Sequence, residues 1–175
     1  MFKKFTKYGI TLRLVEESDS DFIVKIRTDI RKARFISETN SIVLEQKKWI
    51  KAYKTREILC EEYYIIAIDE DNEKFATYRL YNKTEASIEI GSFVSCPEYN
   101  NPINIIKVDV LLKEYVFEAL GFVTLNFEVR KKNTTVISYH KKFQPIKINE
   151  DEHNYYFVLE KEAFLKNKLK FEKLF

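Results

Sequence analysis

One short stretch decides the fold prediction: residues 133–143, Asn-Thr-Thr-Val-Ile-Ser-Tyr-His-Lys-Lys-Phe. Asparagine is a preferred N-cap residue, so Asn133 predicts the start of a helix that carries Tyr139 and His140. The alternating run 123–129 just before it predicts a strand. A strand, a polar turn and a capped helix therefore form the unit from which the rest of the fold is predicted.

Hydrophobic periodicity extends this unit in both directions along the chain. Strands are predicted at residues 11–15, 63–68, 75–81, 88–94, 123–129 and 155–159. Helices are predicted at residues 22–30, 43–57, 103–119 and 160–174 and directly after Asn133, with an irregular segment at 31–42. The order β-α-α-β-β-β-α-β-α-β-α predicts an α/β fold of the α+β kind. Its mixed, mostly antiparallel twisted sheet would carry helices on both faces.

The composition is that of a compact domain. Of 175 residues, 45% are hydrophobic and 33% are charged, which supplies one core that buries about 70% of the unfolded surface. No linker divides the chain, so residues 1–175 are expected to form a single domain. Residues 161–175 are its C-terminal helical extension, a candidate packing or dimer helix. No signal peptide and no long apolar run are present, which predicts no membrane association. The two cysteines, which do not form a CxxC pair, fit a reducing, cytoplasmic location.

Glycine is scarce, and this excludes several kinds of nucleotide site. The only glycines are Gly9, Gly91 and Gly121. Phosphate-binding loops and dinucleotide turns need glycines clustered within a few residues, so both are excluded. The two cysteines, Cys60 and Cys96, and the two histidines do not have the spacing of a zinc site, so no metal is expected.

The net charge is +3, too balanced to predict a nucleic-acid partner. One alternative stays open: a basic module that binds nucleic acid through the lysines of residues 166–173. Such binding would depend steeply on salt concentration.

A candidate anion site lies at residues 100–104, Asn-Asn-Pro-Ile-Asn, where a loop meets the long helix. A helix N-terminus offers free backbone N–H groups and the positive end of the helix dipole, so it can hold a phosphate without a lysine. Asparagine also tolerates the left-handed backbone that a glycine-free loop would need. An ordinary helix cap is the alternative explanation.

In their order, these elements resemble the GNAT superfamily of acetyl-CoA-dependent N-acetyltransferases. The resemblance covers about residues 10–160. It is carried by residues 10–19, 45–50 and 89–94, which resemble the family's first strand, second helix and fourth strand, and most specifically by residues 133–143. The family's usual pair of glycines before the long helix is absent.

The resemblance implies an acetyl-CoA site. The pantetheine arm would bind the backbone of Phe93, Val94 and Ser95, and Asn133 would lie near the thioester. The pyrophosphate would rest on the loop from Asn101 to Ile105, bound by the backbone N–H groups of Asn101, Ile103, Asn104 and Ile105. Pro102 is part of this loop but has no N–H.

The resemblance also implies a general acid seven residues after Asn133, where His140 stands beside Tyr139. A histidine near its reference pKa is about a quarter protonated at pH 7, and a tyrosine is protonated at that pH, so either residue could protonate the departing thiolate. Glu89, on a mostly apolar strand, is a candidate base or water-orienting residue; a structural salt bridge is its alternative role.

Arginines suggest an acceptor site. Arg27, Arg31 and Arg34 are expected on one face near the segment that lines the acceptor side in this superfamily, and Arg79 lies on the middle strand. Guanidinium groups suit a phosphate or carboxylate. The chain looks most similar to family members that acetylate amino sugars of surface polysaccharides or modified flagellins. The resemblance therefore implies acetyl transfer to a small-molecule primary amine, an amino sugar linked to a nucleotide. The alternative acceptors are a protein N-terminus and a polyamine, and the alternative function is a non-catalytic module that binds acyl-CoA. For the arginines themselves, the alternative is a solvated helix face.

Overall fold

The computed structural model describes residues 2–175. Its strands are β1 (Phe5–Lys7), β2 (Ile10–Leu14), β3 (Tyr63–Ile68), β4 (Lys74–Tyr81), β5 (Ser87–Ser95), β6 (Thr124–Arg130), β7 (Ile146–Glu150) and β8 (Asn154–Glu160). Its helices are α1 (Ser20–Thr28), α2 (Val43–Ile58), α3 (Pro102–Glu114), α4 (Thr134–Lys141) and α5 (Lys161–Glu172). Within residues 2–175 no helix is long and apolar enough to cross a bilayer.

The strands form one sheet in the order β1-β2-β3-β4-β5-β6-β8-β7. Neighbouring strands are antiparallel throughout this order, except that β5 and β6 are parallel. The predicted mixed, mostly antiparallel sheet is therefore confirmed. The parallel pair needs a crossover connection, which α3 supplies.

Helices pack on both faces of the sheet, and β3 makes this visible. Tyr64 and Ile66 share a core with Ile23 of α1 and with Ile50 and Tyr53 of α2. The alternate residues Tyr63, Ile65 and Ala67 belong to the larger core on the other face, together with residues of α3, α4 and α5. Because successive strand residues point to opposite faces, the almost unbroken apolar run of β3 is that of a strand covered on both sides.

The structure adds two strands to the predicted order. β1 has three residues, and every residue of β7 is exposed, so neither carries the buried periodic face by which a strand is found in a sequence. The long helix predicted at 103–119 is also divided: α3 ends at Glu114 and a π-helical turn follows at Tyr115–Ala119. Gly121 ends this segment with a φ of +79°, as a helix C-terminus favours.

Other residue types take over positions that glycine usually occupies. Among residues 2–175, six residues other than glycine have a positive φ: Tyr8, Cys60, Asn72, Asn82, Ser92 and Gln144. Gln144, with φ +59°, follows α4 at the place where glycine often ends a helix. The expectation of a left-handed backbone in residues 100–104 is wrong, because none of them has a positive φ; Asn101 has φ −125°.

Candidate active site

The parallel strands β5 and β6 separate soon after they meet. They pair only from Ser87–Thr124 to Glu89–Asn126, although β5 continues to Ser95 and β6 to Arg130. We call the opening between residues 90–95 and 127–130 the sheet gap. It leaves one edge of β5 without a strand partner, so backbone groups there are available to a ligand.

A β-bulge reshapes β5 beside the gap. Val94 is opposite Thr77 and Gly91 is opposite Arg79, so two residues of β5, Ser92 and Phe93, face the single residue between them on β4. Ser92 accommodates the bulge with a φ of +56°. A bulge of this kind re-aims neighbouring side chains and is frequent next to active sites.

Five side chains form what we call the buried ionic cluster on the α3, α4 and α5 face of the sheet: Tyr78, Asp109, Lys113, Tyr139 and His140. Asp109 accepts hydrogen bonds from the Tyr78 hydroxyl at 2.8 Å, the Tyr139 hydroxyl at 2.6 Å and Lys113 Nζ at 2.5 Å. Lys113 Nζ also lies 3.2 Å from His140 Nδ1. Three elements, β4, α3 and α4, thus meet at one carboxylate.

Burial and charge set the protonation states in this cluster. Burial alone would raise the pKa of Asp109, but the opposing charges and hydrogen bonds, with the Lys113 ammonium first among them, together outweigh it and hold that pKa below its usual value. Burial lowers the pKa of Lys113, opposed by Asp109. Burial and the Lys113 charge together lower the pKa of His140 to about 3. The imidazole is therefore neutral at pH 7, and the expectation that His140 is partly protonated there is wrong.

The imidazole of His140 lies at the sheet gap. Its ring is 4.6 Å from that of Phe127, the first β6 residue beyond the paired segment. On the other side of the gap, Phe93 of the bulge meets Tyr78 edge-on at 4.8 Å. Tyr139 is less suited to act as an acid, since burial and Asp109 raise its pKa well above the usual value while its hydroxyl proton is donated to Asp109.

Two carboxylates lie on the opposite face, beside the point where β5 and β6 separate. Glu89 pairs with Asn126 in the last residue pair before the gap, so these two side chains share a face of the sheet. Glu128 follows Asn126 by two residues and therefore points to the same face, that of α1 and α2. Burial and the nearby Glu89 raise the pKa of Glu128. Glu89 accepts a hydrogen bond from Asn82 Nδ2 at 2.8 Å and makes no salt bridge with any residue of 2–175.

Gly91 allows Tyr81 to reach this place. A Cβ atom at position 91 would lie 2.2 Å from the Tyr81 hydroxyl oxygen, so any larger residue would displace that side chain. Burial and Glu89 both raise the pKa of Tyr81, which keeps the hydroxyl protonated beside the two carboxylates.

A cavity of about 540 Å³ opens on the same face. We call it the arginine cavity. It is lined by Arg27, Ser37, Glu38, Thr39, Asn40, Glu45, Gln46, Lys48, Trp49, Tyr64 and Arg79. Arg79 Cζ lies 5.2 Å from the centre of the Trp49 ring, and its Nη2 donates to Glu62. A larger hollow of about 1090 Å³ on the other side of Arg79 includes no member of the buried ionic cluster.

Two guanidinium donors of the arginine cavity are unused. Arg27 Nε donates to Thr39 Oγ1 at 2.7 Å and Nη2 donates to Ser37 Oγ at 3.0 Å. Its Nη1, and Nε of Arg79, are buried without a partner among residues 2–175. Buried polar groups are nearly always hydrogen-bonded, so these donors favour a ligand that accepts hydrogen bonds.

The start of α3 offers a second candidate contact for an anion. Asn101 caps the helix by accepting a hydrogen bond from the Asn104 N–H at 3.1 Å, and Pro102 has no N–H. In the described chain, the N–H groups of Asn100, Asn101 and Ile103 donate to no other residue. The Asn-rich segment is thus a helix cap that leaves part of its N-terminus free.

Comparison with known proteins decides the family. No protein-family model and no curated protein matches the chain. Among solved structures, apo FdhC, a nucleotide-linked sugar GNAT, is 33% identical, with 98% of each chain covered and a TM-score of 0.88. The chain belongs to the GNAT superfamily. It is therefore an acyltransferase of the N-acetyltransferase type, in a family that generally uses acetyl-CoA.

More distant GNAT structures share the fold alone. A spermidine N-acetyltransferase, SpeG from Vibrio cholerae, is 13% identical over 93% of this chain and 99% of that one, with a TM-score of 0.75. A ribosomal-protein-S5-alanine acetyltransferase from Vibrio fischeri has 13% identity, the same coverages and a TM-score of 0.77. The sheet gap is thus set in a GNAT fold.

The structure brings together only part of the predicted GNAT site. Phe93, Val94 and Ser95 lie along the gap, Asn133 caps α4 by accepting from the Val136 N–H at 3.4 Å, and Arg27 and Arg79 line one cavity. The other two arginines do not join them, and the prediction of one arginine face is wrong. α1 ends at Thr28, and Arg31 instead pairs with Asp29 and Glu98. Arg34 lies over the Phe35 ring.

Sequence reasoning missed Asp109, Lys113 and Glu128. The first two stand four residues apart in the mostly apolar segment 108–117, and a charged pair at that spacing on a buried helix face was the available signal. Glu128 is a candidate only because it lies beside the point where β5 and β6 separate. The sequence does not reveal where that point is, so no pattern in it singles out Glu128.

Acid should destabilise this GNAT protein through His140. Its pKa of about 3 in the folded chain lies below the reference value of 6.5, so between these values the unfolded chain binds more protons. The stabilising contribution is present above pH 6.5 and is lost as the pH falls towards 3. Lowering the pH from 7 to 5 should reduce the free energy of unfolding by about 2 kcal/mol.

Urea unfolding of the wild type and of His140→Gln at both pH values measures this contribution. The variant should lose about 2 kcal/mol less than the wild type over that range. His153→Gln, at an exposed histidine, is the control and should behave as the wild type. Equal losses in the wild type and His140→Gln would contradict the assignment.

Proposed function

We propose that this chain transfers an acetyl group from acetyl-CoA to the amine of a nucleotide-linked amino sugar. The sheet gap is the observation that supports the binding of acetyl-CoA. Backbone groups of Phe93, Val94 and Ser95 would bind the pantetheine amides along the unpaired edge of β5. The free N–H groups at the start of α3 would receive the pyrophosphate.

The arginine cavity supports the nucleotide-linked acceptor. Arg27 and Arg79 each leave a buried donor unused, and diphosphate oxygens are strong hydrogen-bond acceptors for guanidinium groups. Trp49 lines this cavity and is partly exposed, so its indole would contact a base bound there. FdhC, whose amino-acid sequence is 33% identical, is itself a nucleotide-linked sugar GNAT.

A polyamine acceptor is less favoured by the same cavity. A polycation needs an excess of carboxylates, whereas the lining has Arg27, Arg79 and Lys48 against Glu38 and Glu45. Unused guanidinium donors would repel an ammonium group.

The reaction would use both faces of the sheet. The acceptor amine would approach the thioester from the α1 and α2 face, where Glu128, with its raised pKa, and Glu89 are placed to take the amine proton directly or through water. The thiolate would leave on the other face, where His140 lies at the gap. Backbone N–H groups of β5 would stabilise the oxyanion that forms on the carbonyl.

Calorimetric titration with acetyl-CoA and CoA tests the cofactor assignment, followed by turnover with a panel of nucleotide-linked amino sugars, spermidine and an N-terminal peptide. Binding of acetyl-CoA together with turnover of an amino-sugar nucleotide is the expected result. No binding at high micromolar acetyl-CoA would refute the enzyme. Turnover of spermidine or the peptide alone would refute the acceptor.

Arg27→Met should raise the KM for the nucleotide-linked acceptor about 10- to 100-fold, because each hydrogen bond from a charged donor contributes about 1.5–3 kcal/mol. The affinity for acetyl-CoA, measured by calorimetry, should not change. Arg34→Met is the matched control, since Arg34 is outside the cavity, and its KM should equal that of the wild type. An unchanged KM in Arg27→Met would place the acceptor elsewhere.

Glu89→Gln should move the acid limb of kcat/KM to lower pH. The charge of Glu89 raises the pKa of Glu128, so its removal lowers that pKa and leaves Glu128 deprotonated at lower pH. Steady-state rates from pH 5 to 8 measure the shift. Glu150→Gln, at the far edge strand, is the control. A limb that stays in place or moves to higher pH would exclude Glu128 as the base.

We further propose a single cytoplasmic domain that forms a homodimer through residues 161–175. The thiols of Cys60 and Cys96 are free, which fits a reducing compartment. Leu169 and Leu174 are exposed near the C-terminus and would be covered by a second copy. Light scattering measures the mass; a monomer would refute the dimer.

A further inference from the structure

Lys113 is a fully buried cation beside the sheet gap, with an exposed fraction of 0%. Burying an ammonium group costs several kcal/mol, and an apolar side chain of similar volume would often stabilise the fold as well. The rings of Tyr139 and Phe143 flank Nζ at 5.4 and 4.4 Å from their centres. The charge is thus held at one place at a cost to stability.

Lys113 determines which nitrogen of His140 carries the proton. An ammonium group has donors only, so at 3.2 Å His140 Nδ1 must be the acceptor. The neutral ring then carries its hydrogen on Nε2. Among residues 2–175, Nε2 has no hydrogen-bond partner, and it is not one of the fully enclosed polar atoms. The ring therefore keeps one N–H donor for a ligand.

We propose that Lys113 is the proton source for the departing thiolate and acts through His140. In this step the Nε2–H bond of His140 breaks and an S–H bond forms on CoA, while Lys113 Nζ gives a proton to Nδ1. The products are neutral CoA thiol, His140 protonated on Nδ1 and a neutral Lys113 amine. After CoA leaves, Nε2 takes a proton from water and Nδ1 returns one to Lys113. The inference rests on the proposed acetyl transfer.

The charges around Lys113 suit this role. A neutral imidazole alone is a poor acid, because loss of Nε2–H without a proton on Nδ1 would leave an anion. Burial lowers the pKa of Lys113, opposed by Asp109, which makes the ammonium group a stronger acid than an exposed lysine. The titratable groups around Lys113 are the other members of the cluster: Asp109, Tyr78, Tyr139 and His140. Asp109 keeps the lysine in place by accepting its hydrogen bond.

Nitrogen NMR of histidine-labelled protein tests the tautomer without any substrate. The chain has only two histidines, so exposed His153 serves as the internal reference. His140 should show the Nε2–H tautomer and no titration between pH 5 and 9. In Lys113→Met the ring should lose this fixed tautomer and begin to titrate. A wild-type His140 protonated on Nδ1 would overturn the proposal.

Kinetics test the proton transfer. Lys113→Met should lower kcat with acetyl-CoA about 100-fold, and His140→Ala/Lys113→Met should be no slower than His140→Ala alone, since both residues serve one step. The wild type should lose kcat at alkaline pH as Lys113 deprotonates. Lys168→Met, which removes another ion-paired lysine outside the cluster, should leave kcat unchanged.

A stability control keeps the result interpretable. Asp109→Asn/Lys113→Met leaves no unpaired charge in the cluster and should fold, yet show the same loss of kcat as Lys113→Met. Wild-type kcat in either variant would overturn the proton transfer. If the wild type turns over none of the acceptors, the proposed function fails, whereas the NMR result still decides whether Lys113 fixes His140.

Discussion

Asp109→Ala should lower the free energy of unfolding by about 3–5 kcal/mol, because it leaves Lys113 as a buried charge without its partner. The Tyr78 and Tyr139 hydroxyls, at 2.8 and 2.6 Å from the carboxylate, lose their acceptor as well. Few single substitutions have so large an effect. Urea unfolding at pH 7 gives the free energy.

The second substitution Lys113→Met provides the matched control for this effect. Asp109→Ala/Lys113→Met contains neither charge and should recover a large part of the lost stability. A loss below about 1 kcal/mol in Asp109→Ala would contradict a buried ion pair between Lys113 and Asp109.

His140→Ala should lower kcat by a factor of about 10² to 10⁴, the usual range for removal of a general acid or base. The affinity for acetyl-CoA should change little, since the pantetheine and pyrophosphate contacts that we propose are with the backbone of β5 and the start of α3. Turnover with a nucleotide-linked amino sugar gives kcat, and calorimetry gives the affinity.

Tyr139→Phe separates the two neighbouring candidates for the acid. The variant loses one hydrogen bond to Asp109, which contributes about 1 kcal/mol to stability, and should keep kcat within a factor of about 10. Full turnover in His140→Ala would remove that residue from the mechanism. A large loss in Tyr139→Phe alone would assign the acid to the tyrosine.

The fold was largely predictable because most of its elements bury a regular face. β3 matches its predicted bounds, Tyr63–Ile68, because it is apolar on both sides and bounded by polar turns. The exposed strand β7 was missed for the opposite reason: its pairing with β8 is made by the backbone, which the pattern of side chains does not reveal.

The site was predictable only where a local pattern specifies it. Residues 133–143 correctly placed His140 near the C-terminal end of α4, but the charge of the ring depends on its burial and on Lys113, 27 residues earlier in the chain. Likewise, helical spacing grouped three arginines, while the actual end of α1 at Thr28 separates them. The protonation state of a buried side chain, and which distant residues meet at one site, depend on how the chain packs. Composition and spacing do not encode them directly.

The short pairing of β5 with β6 makes the sheet mechanically uneven. Backbone ladders are continuous from β1 to β5 and again from β6 to β7, and three residue pairs join the two parts. A pantetheine arm in the gap would add hydrogen bonds along the edge of β5 that β6 leaves unpaired. Cofactor binding would then stiffen the joint that aligns the glutamates on one face with the imidazole on the other, so the donor would complete the catalytic geometry before the acceptor arrives.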